Sequence, residues 1–222
     1  MSFFNFLKKP NNPALPLPTP DYSRTYHDNH NNVLRLFFNQ LTNVFDNILG
    51  PNGGQFIDCP NGLFYNTQDQ PYSANNTGYP IEFDETYLSN GVALRTGSNS
   101  QIGVSVSGVY NFQYTGQVRS STGSKVEVAV WIQRGGVDIN YSTRINTIQA
   151  NNHYFEILWN FDIDLAAGEY IELITSIDAH APNIKLDAFA AVSPAPYPVG
   201  ASSVLTVNFI APLPDPRPTL PP

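Results

Sequence analysis

The sequence predicts an all-β fold, an antiparallel sandwich of about ten strands preceded by one N-terminal helix and a proline-rich arm. Three observations predict it. From residue 79 onward apolar and polar residues alternate in segment after segment, the period of half-buried strands. The stretches between these segments are short and carry no helical periodicity, which favours sheet packed on sheet. Fourteen of the nineteen prolines lie in the two ends, five in residues 1–20 and nine in 194–222. Proline removes a backbone donor and fixes φ, so these ends extend as semi-rigid arms instead of joining a helix or sheet interior.

Residues 1–25 form the first arm. Phe3, Phe4, Phe6 and Leu7 make an apolar tip, and residues 10–20 make a stiff spacer. In polyproline II, at about 3.1 Å per residue, that spacer reaches roughly 34 Å. The tip has two readings: packing on its own body, or a plug into a partner.

Residues 26–50 hold the one strong helix, over 27–49. Asp28 or Asn29 can cap its start, and Gly50 and Pro51 end it. Leu34, Phe37, Leu41, Val44 and Ile48 step by three and four, an a/d seam, with Phe38 and Phe45 widening the face. The seam is expected to face sister chains about a symmetry axis and the flank to face the body. His27 and His30 extend the same register upstream. In a self-associating helix they would form imidazole rings able to hold a metal or anion, and otherwise they belong to a solvated first turn.

Residues 51–78 read as an irregular linker with one short strand over 62–65. The sandwich is expected over 79–211. Strand segments are predicted at 79–83, 91–95, 101–105, 108–117, 125–134, 137–144, 154–165, 170–176, 184–190 and 204–210. Tyr110, Phe112 and Tyr114 share one face. So do Val126, Val128, Val130 and Ile132, and so do Phe155, Ile157, Trp159, Phe161, Ile163 and Leu165. Gly135 and Gly136 make a two-residue hairpin turn. Trp131, Leu158, Ile174 and Phe189 fall on outward positions, and as a contiguous set they would mark a subunit interface. Residues 212–222 form the second arm, a strap over adjacent surface.

Composition excludes several functions. Only 13% of residues are charged, against a norm of about 25%. The net charge of −7 argues against a nucleic-acid surface, which needs clustered Lys and Arg, and against an anionic membrane surface. Cys59 is the only cysteine, so there is neither a disulfide framework nor a Cys-based zinc site. The first residues lack the pattern of a secretory signal, and no apolar run is long enough to span a bilayer, so synthesis in a cytoplasm is expected.

A catalytic constellation is not legible. Residues 103–107 begin like the G-x-S-x-G nucleophile turn but end in Ser107 and lie in a strand pattern. Asp162 and Asp164 share the outward face of one strand, which suits calcium or acid–base work but more often means a solvated face. Asp69, Asp84 and Glu85 lie in loop-like segments, and His153 and His180 sit at turns without a spaced partner. No cofactor is implied, and the chain reads as non-enzymatic.

Four segments carry a resemblance. Gly108-Val109-Tyr110-Asn111-Phe112 resembles the G-x-Y-x-F strand of complement C1q-like domains. Residues 130–137 resemble the strand and hairpin that follow it there. Residues 165–173 look like that family's L-x-x-G-D-x-V-x-L segment, with Glu169 for Asp. Residues 204–210 sit where a last core strand belongs. The resemblance covers about 79–210 and implies a ten-strand jelly roll of the C1q and tumour necrosis factor type, a fold that usually forms trimers. The absence of a collagen stalk departs from the extracellular members. The whole chain, with its Asn-rich body and arms, is similar to structural proteins of tailed bacteriophages of the marine type. That similarity implies a homotrimeric virion subunit, made in the bacterial host cytoplasm and working on the particle as a capsid decoration or a tail-fibre piece. Its partners would be other virion proteins, with the first arm as anchor. The alternative expectation is a receptor-binding fibre tip whose loops recognise a host glycan.

Overall fold

The structure, a computed structural model, describes residues 11–17, 20–49, 59–149, 153–189 and 198–213. It contains two compact units, Met1–Asp58 and Cys59–Pro222. The apolar tip Phe3, Phe4, Phe6 and Leu7, and residues 214–222 of the second arm, lie outside the described residues.

In the first unit the helix α1 spans Arg24–Leu49. It begins three residues before the expected start because Ser23, not Asp28 or Asn29, is the cap. The Ser23 hydroxyl accepts the Tyr26 N–H at 3.3 Å and its carbonyl accepts the His27 N–H at 3.1 Å, satisfying donors that open a helix. Asp28 instead lies one turn in, 3.8 Å from the Arg24 guanidinium, where both side chains are exposed. Leu34, Phe37, Leu41, Val44 and Ile48 are each half-buried, whereas Phe38 and Phe45 are exposed.

The second unit is mostly strand, in two antiparallel sheets. The first sheet is built on β7 (Gly108–Ser120), β11 (His153–Leu165), β14 (Ser203–Ala211), β1 (Asn61–Asn66) and β4 (Glu85–Asn90). The short β13 (Ile184–Leu186) and β2 (Gln70–Pro71) extend it. β11 pairs with β7 over all thirteen residues, from His153↔Ser120 to Leu165↔Gly108. On the other edge of β7 lie β14 and then β13. The second sheet runs β10 (Arg144–Ile148), β8 (Val126–Arg134), β12 (Tyr170–Ile177), β6 (Ile102–Val104) and β5 (Val92–Leu94). β3 (Tyr79–Pro80) adds to β12, and β9 (Val137–Asp138) adds to β8.

The core lies between the sheets, and alternation built it as expected. Tyr110, Phe112, Tyr114 and Val118 of β7 face Val126, Val128, Val130 and Ile132 of β8, with Ile157, Ile163 and Leu165 from β11 and Ile171, Leu173 and Ile177 from β12. Burying a side chain of this kind stabilises by about 1.5–3 kcal/mol before the entropy of ordering it. Gly116 keeps the period but carries no side chain: a Cβ there would lie 2.1 Å from the buried Tyr114 hydroxyl.

Two expectations about boundaries are corrected. The sandwich unit begins at Cys59, not at 79. The strand foreseen at 62–65 is β1, which lies inside a sheet between β14 and β4, with Phe64 fully buried. Only Leu63, Phe64 and Tyr65 carry large apolar side chains in it, so within an Asn- and Gln-rich stretch it reads as an isolated short strand and not as part of a sheet. The single strand expected at 137–144 is split in two. After the turn at Gly135 (φ +59°) and Gly136 (φ +83°), β9 pairs for only two residues. The chain then swings out through Ile139–Thr143 before β10 resumes pairing at Arg144. In that swing the Ser142 hydroxyl takes the β8 N–H of Ile132 at 3.1 Å, in place of a strand carbonyl, and Tyr141 sits at φ +65°.

Candidate functional site

The swing between β9 and β10 opens a groove of about 340 Å³ along the edge of β11. Its floor is where the two sheets part: Ile132 and Ile139 from one side, Trp159, Phe161 and Ile163 from the other. Phe161 stacks on the buried Phe112 at 5.2 Å between centroids, with planes 2° apart, and Trp159 leans on it at 4.6 Å. One rim carries Asn140, Tyr141 and Arg144, the other Asn160, Asp162 and Asp164, and Val109 and Arg134 also line it. The volume is at the small end of the range for ligand clefts.

The charges of this groove are arranged unevenly. Arg134 donates to both the carbonyl (2.6 Å) and the carboxylate (3.0 Å) of Asp164, and both side chains are mostly buried. Arg144 is exposed, with its guanidinium 5.8 Å above the Trp159 ring. Asp162 accepts the Asn111 amide at 2.7 Å. Among the described residues neither Arg144 nor Asp162 has an ion-pair partner.

The outer face of the first sheet is ordered in rows by the register. Asn90, Asn61, Asn208, Asn111 and Asp162 form one polar row across five strands. Tyr65, Val204, Thr115 and Leu158 form another, less polar one. Leu158 ends that row on β11, 70% exposed. Tyr154 on the same strand, Ile145 on β10 and Tyr141 in the swing are exposed too. Beyond β7, among the described residues, no strand pairs with β11.

The four outward apolar residues therefore do not form one patch. Trp131 and Ile174 are cross-strand neighbours in the second sheet. They are covered from within the chain at Gly78, where an added Cβ would meet Ile174 at 3.1 Å and Trp131 at 3.2 Å. Ile174 is only 6% exposed, so its expected place in a subunit interface is corrected to a satellite of its own domain. The Trp131 indole donates to Asp138 at 2.7 Å. Phe189 lies in the other sheet's neighbourhood, its backbone bridged to Gly200 and its ring over that glycine. Leu158 alone stands clear.

His27 and His30 sit in an aromatic string, Tyr22 against His27 at 5.1 Å and Tyr26 against His30 at 5.9 Å. Among the described residues no three His, Cys, Asp or Glu side chains come together as metal ligands. Asp84 accepts the Thr67 N–H and hydroxyl at 2.8 and 2.6 Å, which ties the β1 end to the segment before β4. Ser105 donates to the Gly91 carbonyl, and the Ser107 hydroxyl accepts the Ala167 N–H. Cys59 is exposed.

One charged cluster was not legible. Lys185 of β13 lies 2.5 Å from both Asp69 and the buried Asp187. Burial would raise the Asp69 carboxyl, but the Lys185 hydrogen bond, the Ala188 N–H and the Lys185 charge outweigh it and hold the group below the usual carboxylate range. Burial would lower the Lys185 ammonium, and its bonds to Asp187 and Asp69 together with their charges hold it above the usual range. Asp69 and Asp187 lie 118 positions apart or adjacent to Lys185 only in space or by strand alternation, and no short motif joins them. Tyr72 and Tyr114 are pushed far up by burial, despite hydrogen bonds to Thr175 and Ser203. Asp69 and Tyr72 also line a cleft of about 210 Å³ with Thr175 and Leu186.

No protein-family model matches the chain, and no curated protein does. No helix among the described residues is long and apolar enough to cross a membrane.

Proposed function

We propose that this chain is a non-enzymatic structural subunit of a tailed-bacteriophage virion. Its sandwich is a C1q/TNF-like jelly roll, and it acts as a homotrimer set on the particle as a capsid decoration or a tail-fibre component. The observation that carries the trimer is the exposed apolar residues Tyr141, Ile145, Tyr154 and Leu158 along the edge strands β10 and β11 of the two sheets, beside the row Thr115, Val204 and Tyr65 on the face of the β11 sheet. An edge on one copy and a face on the next make a heterologous contact, which closes into a ring when the rotation allows.

The jelly-roll reading is supported by strand order. With the short β2, β3, β9 and β13 set aside, ten strands remain, in the orders β4-β1-β14-β7-β11 and β5-β6-β12-β8-β10. Successive strands of these ten cross between sheets at β4 to β5, β6 to β7, β7 to β8, β10 to β11, β11 to β12 and β12 to β14. That alternation is how a jelly roll winds. The virion assignment is supported by the acidic, amide-rich composition and by the arms. The tip Phe3, Phe4, Phe6 and Leu7 is the proposed anchor to another virion protein. Sedimentation of the purified chain tests the trimer, and a monomer at micromolar concentration overturns it. Labelled electron microscopy of particles tests the location, and particles that keep full occupancy without residues 1–25 overturn the anchor.

A receptor-binding fibre tip that recognises a host glycan is the second reading. The β11 groove favours it, because an aromatic floor under Asn, Asp and Arg rims suits a sugar ring. Binding of the isolated chain to host polysaccharide tests it, and polysaccharide that passes over the immobilised chain unretained sinks it.

A further inference from the structure

We propose that the β11 groove takes a carboxylated sugar, a uronic acid, and that Arg144 is the residue that selects its carboxylate. The inference rests on the glycan reading of this groove and deepens it by naming the class of sugar. Three features point to that class: the side to which the basic residues face, the surface between them, and the place of the acids.

Both arginines of the groove stand in core-facing register. Val126, Val128, Val130 and Ile132 of β8 are buried between the sheets, and Arg134 takes the next position of the same alternation. Arg144 opens β10 directly opposite Val130, and residues opposite each other in an antiparallel pair share a face. The pattern calls for apolar residues at both places, and the gap between the sheets has two guanidiniums instead. Arg134 is answered by Asp164 at 3.0 Å, although its Nε is buried and bonds nothing among the described residues. Arg144 stands exposed at the mouth of the gap. It donates to the neighbouring Thr143 carbonyl at 3.1 Å and has no ion-pair partner among the described residues. Ile145, part of the proposed subunit contact, points to the opposite face of β10, so assembly through Ile145 leaves Arg144 in the groove.

The surface beside Arg144 suits a ring. Trp159 and the half-buried Phe161 lie on the inward face of β11, and the Arg144 guanidinium is 5.8 Å from the centre of the Trp159 ring. A pyranose laid with its apolar face on this lining brings a carboxylate at its edge to the guanidinium. Arg and carboxylate meet through two parallel charge-assisted hydrogen bonds, which makes the contact both strong and directional. The volume of about 340 Å³ is at the small end for ligand clefts and fits one residue of a glycan better than a long stretch of chain.

The acids stand outside this interior. Asp162 shares the outward face of β11 with Leu158 and Asn160, and it accepts the Asn111 amide at 2.7 Å. Asp164 is held by Arg134. Asn140 and Asn160, on opposite rims, place amides where sugar hydroxyls would lie. The interior is therefore basic and aromatic, and the lip is acidic and amide-bearing. A neutral sugar leaves Arg144 unmatched, and an amino sugar sets a second cation against it. A carboxylated sugar matches it. The chain carries a net charge of −7, so a carboxylate is drawn to this place and repelled by the surface at large.

The test uses the full chain and three probes: the methyl glycosides of glucuronic, galacturonic and mannuronic acid. Each is compared with the neutral methyl hexoside of the same configuration, and with acetate as the carboxylate alone. Binding is read by saturation-transfer NMR on the parent and by Trp159 fluorescence in a Trp131→Phe chain. The expected result is that at least one uronoside binds about tenfold tighter than its hexoside, the factor of a charge-assisted hydrogen bond. The advantage shrinks as salt is raised. It vanishes in Arg144→Gln and is kept in part by Arg144→Lys, which has the charge without the planar fork. Arg144 is exposed, so Arg144→Gln keeps the parent's urea midpoint and its lost binding is not lost folding. A uronoside and a hexoside that bind alike, acetate that binds as well as the uronoside, or an advantage that survives Arg144→Gln each overturns the assignment. So does the absence of any uronoside binding at millimolar concentration. In that case, host polysaccharide retained by the immobilised chain leaves the glycan reading standing without this inference, and polysaccharide that passes unretained removes both.

Discussion

Leu158→Asp separates assembly from folding. The side chain is 70% exposed and touches no core residue's hydrophobic cluster, so its loss leaves the isolated sandwich within about 0.5 kcal/mol of the parent. Fully burying a leucine is worth about 1.5–3 kcal/mol, so covering the exposed 70% is worth about 1–2 kcal/mol per copy. A closed trimer makes the contact three times, which gives roughly 3–6 kcal/mol, or about two to four decades in the assembly constant. A carboxylate in the same place adds a desolvation cost of about 1–3 kcal/mol at each contact. Two measurements decide the matter: sedimentation velocity across a dilution series, and urea unfolding for the midpoint and slope. The expected result is a trimer that becomes a monomer, with an unchanged midpoint for unfolding of the monomer. A variant that remains a trimer at nanomolar concentration refutes the edge contact. A variant that unfolds early refutes the reasoning in another way, because Leu158 would then be holding its own sheet.

The other substitutions probe the interior and the helix. Ile174→Ala should destabilise the sandwich by about 2–4 kcal/mol in urea without changing its oligomeric state, because Ile174 is covered by Gly78 of the same chain. Gly116→Ala should cost about 1–3 kcal/mol, since the new methyl occupies the place of the Tyr114 hydroxyl and that ring is buried, and a thermal midpoint equal to the parent's would count against it. Lys185→Ala should cost about 1–3 kcal/mol at neutral pH, discounted because Lys185 and Asp69 are 28% and 44% exposed. In the parent, the Asp69 contribution is complete above the unfolded carboxylate value near 4 and is lost as pH falls through the lower folded value, so acid titration of stability should be shallower in the variant. Leu41→Asp should give monomer or aggregate if the half-buried seam of α1 joins sister chains, and a mass still matching the trimer removes the seam from the assembly.

Alternation made the interior legible. β8 and β11 carry large apolar residues at every second position over Val126–Ile132 and Phe155–Leu165, β7 does so over Tyr110–Val118 apart from Gly116, and such runs can face only one way. β4 was invisible for the opposite reason: all of Glu85–Ser89 is exposed on an edge, so no period is imposed on Thr86, Tyr87 and Leu88. β1 was underestimated because its end residues are Asn61 and Asn66 and only Leu63, Phe64 and Tyr65 carry large apolar side chains. The start of α1 was misplaced because several residues could cap it. Ser23 wins by bringing Tyr26 and His27 into the first turn, and the choice depends on packing that composition does not encode. The groove was not legible at all. It depends on the break between β9 and β10, and residues 137–144 alternate well enough to pass for one strand. Only the Ser142 hydroxyl, substituting for a strand partner at Ile132, reveals that the ladder is interrupted.

β11 is the edge on which the assembly reading turns. An edge of thirteen residues with no strand partner beyond β7 among the described residues is a template for unwanted pairing unless something covers or charges it. Its two halves are unlike. From His153 to Leu158 the outward side chains include Tyr154 and Leu158, both exposed and apolar, with Glu156 as the only acid. From Asn160 to Asp164 they are Asn160, Asp162 and Asp164, and the groove lies alongside. An apolar half gains most from a large dry contact, which a second copy supplies. A polar half beside a narrow aromatic cleft gains little from such a contact, and its carboxylates and amides keep that part of the edge wet. If one subunit contact covered both halves, Leu158→Asp and Asp162→Ala would be coupled. If it covers only the apolar half, a double-mutant cycle in assembly gives additive effects, within about 0.3–0.5 kcal/mol. A larger coupling would mean that the subunit contact extends over the groove half, and the division of the strand would have to be given up.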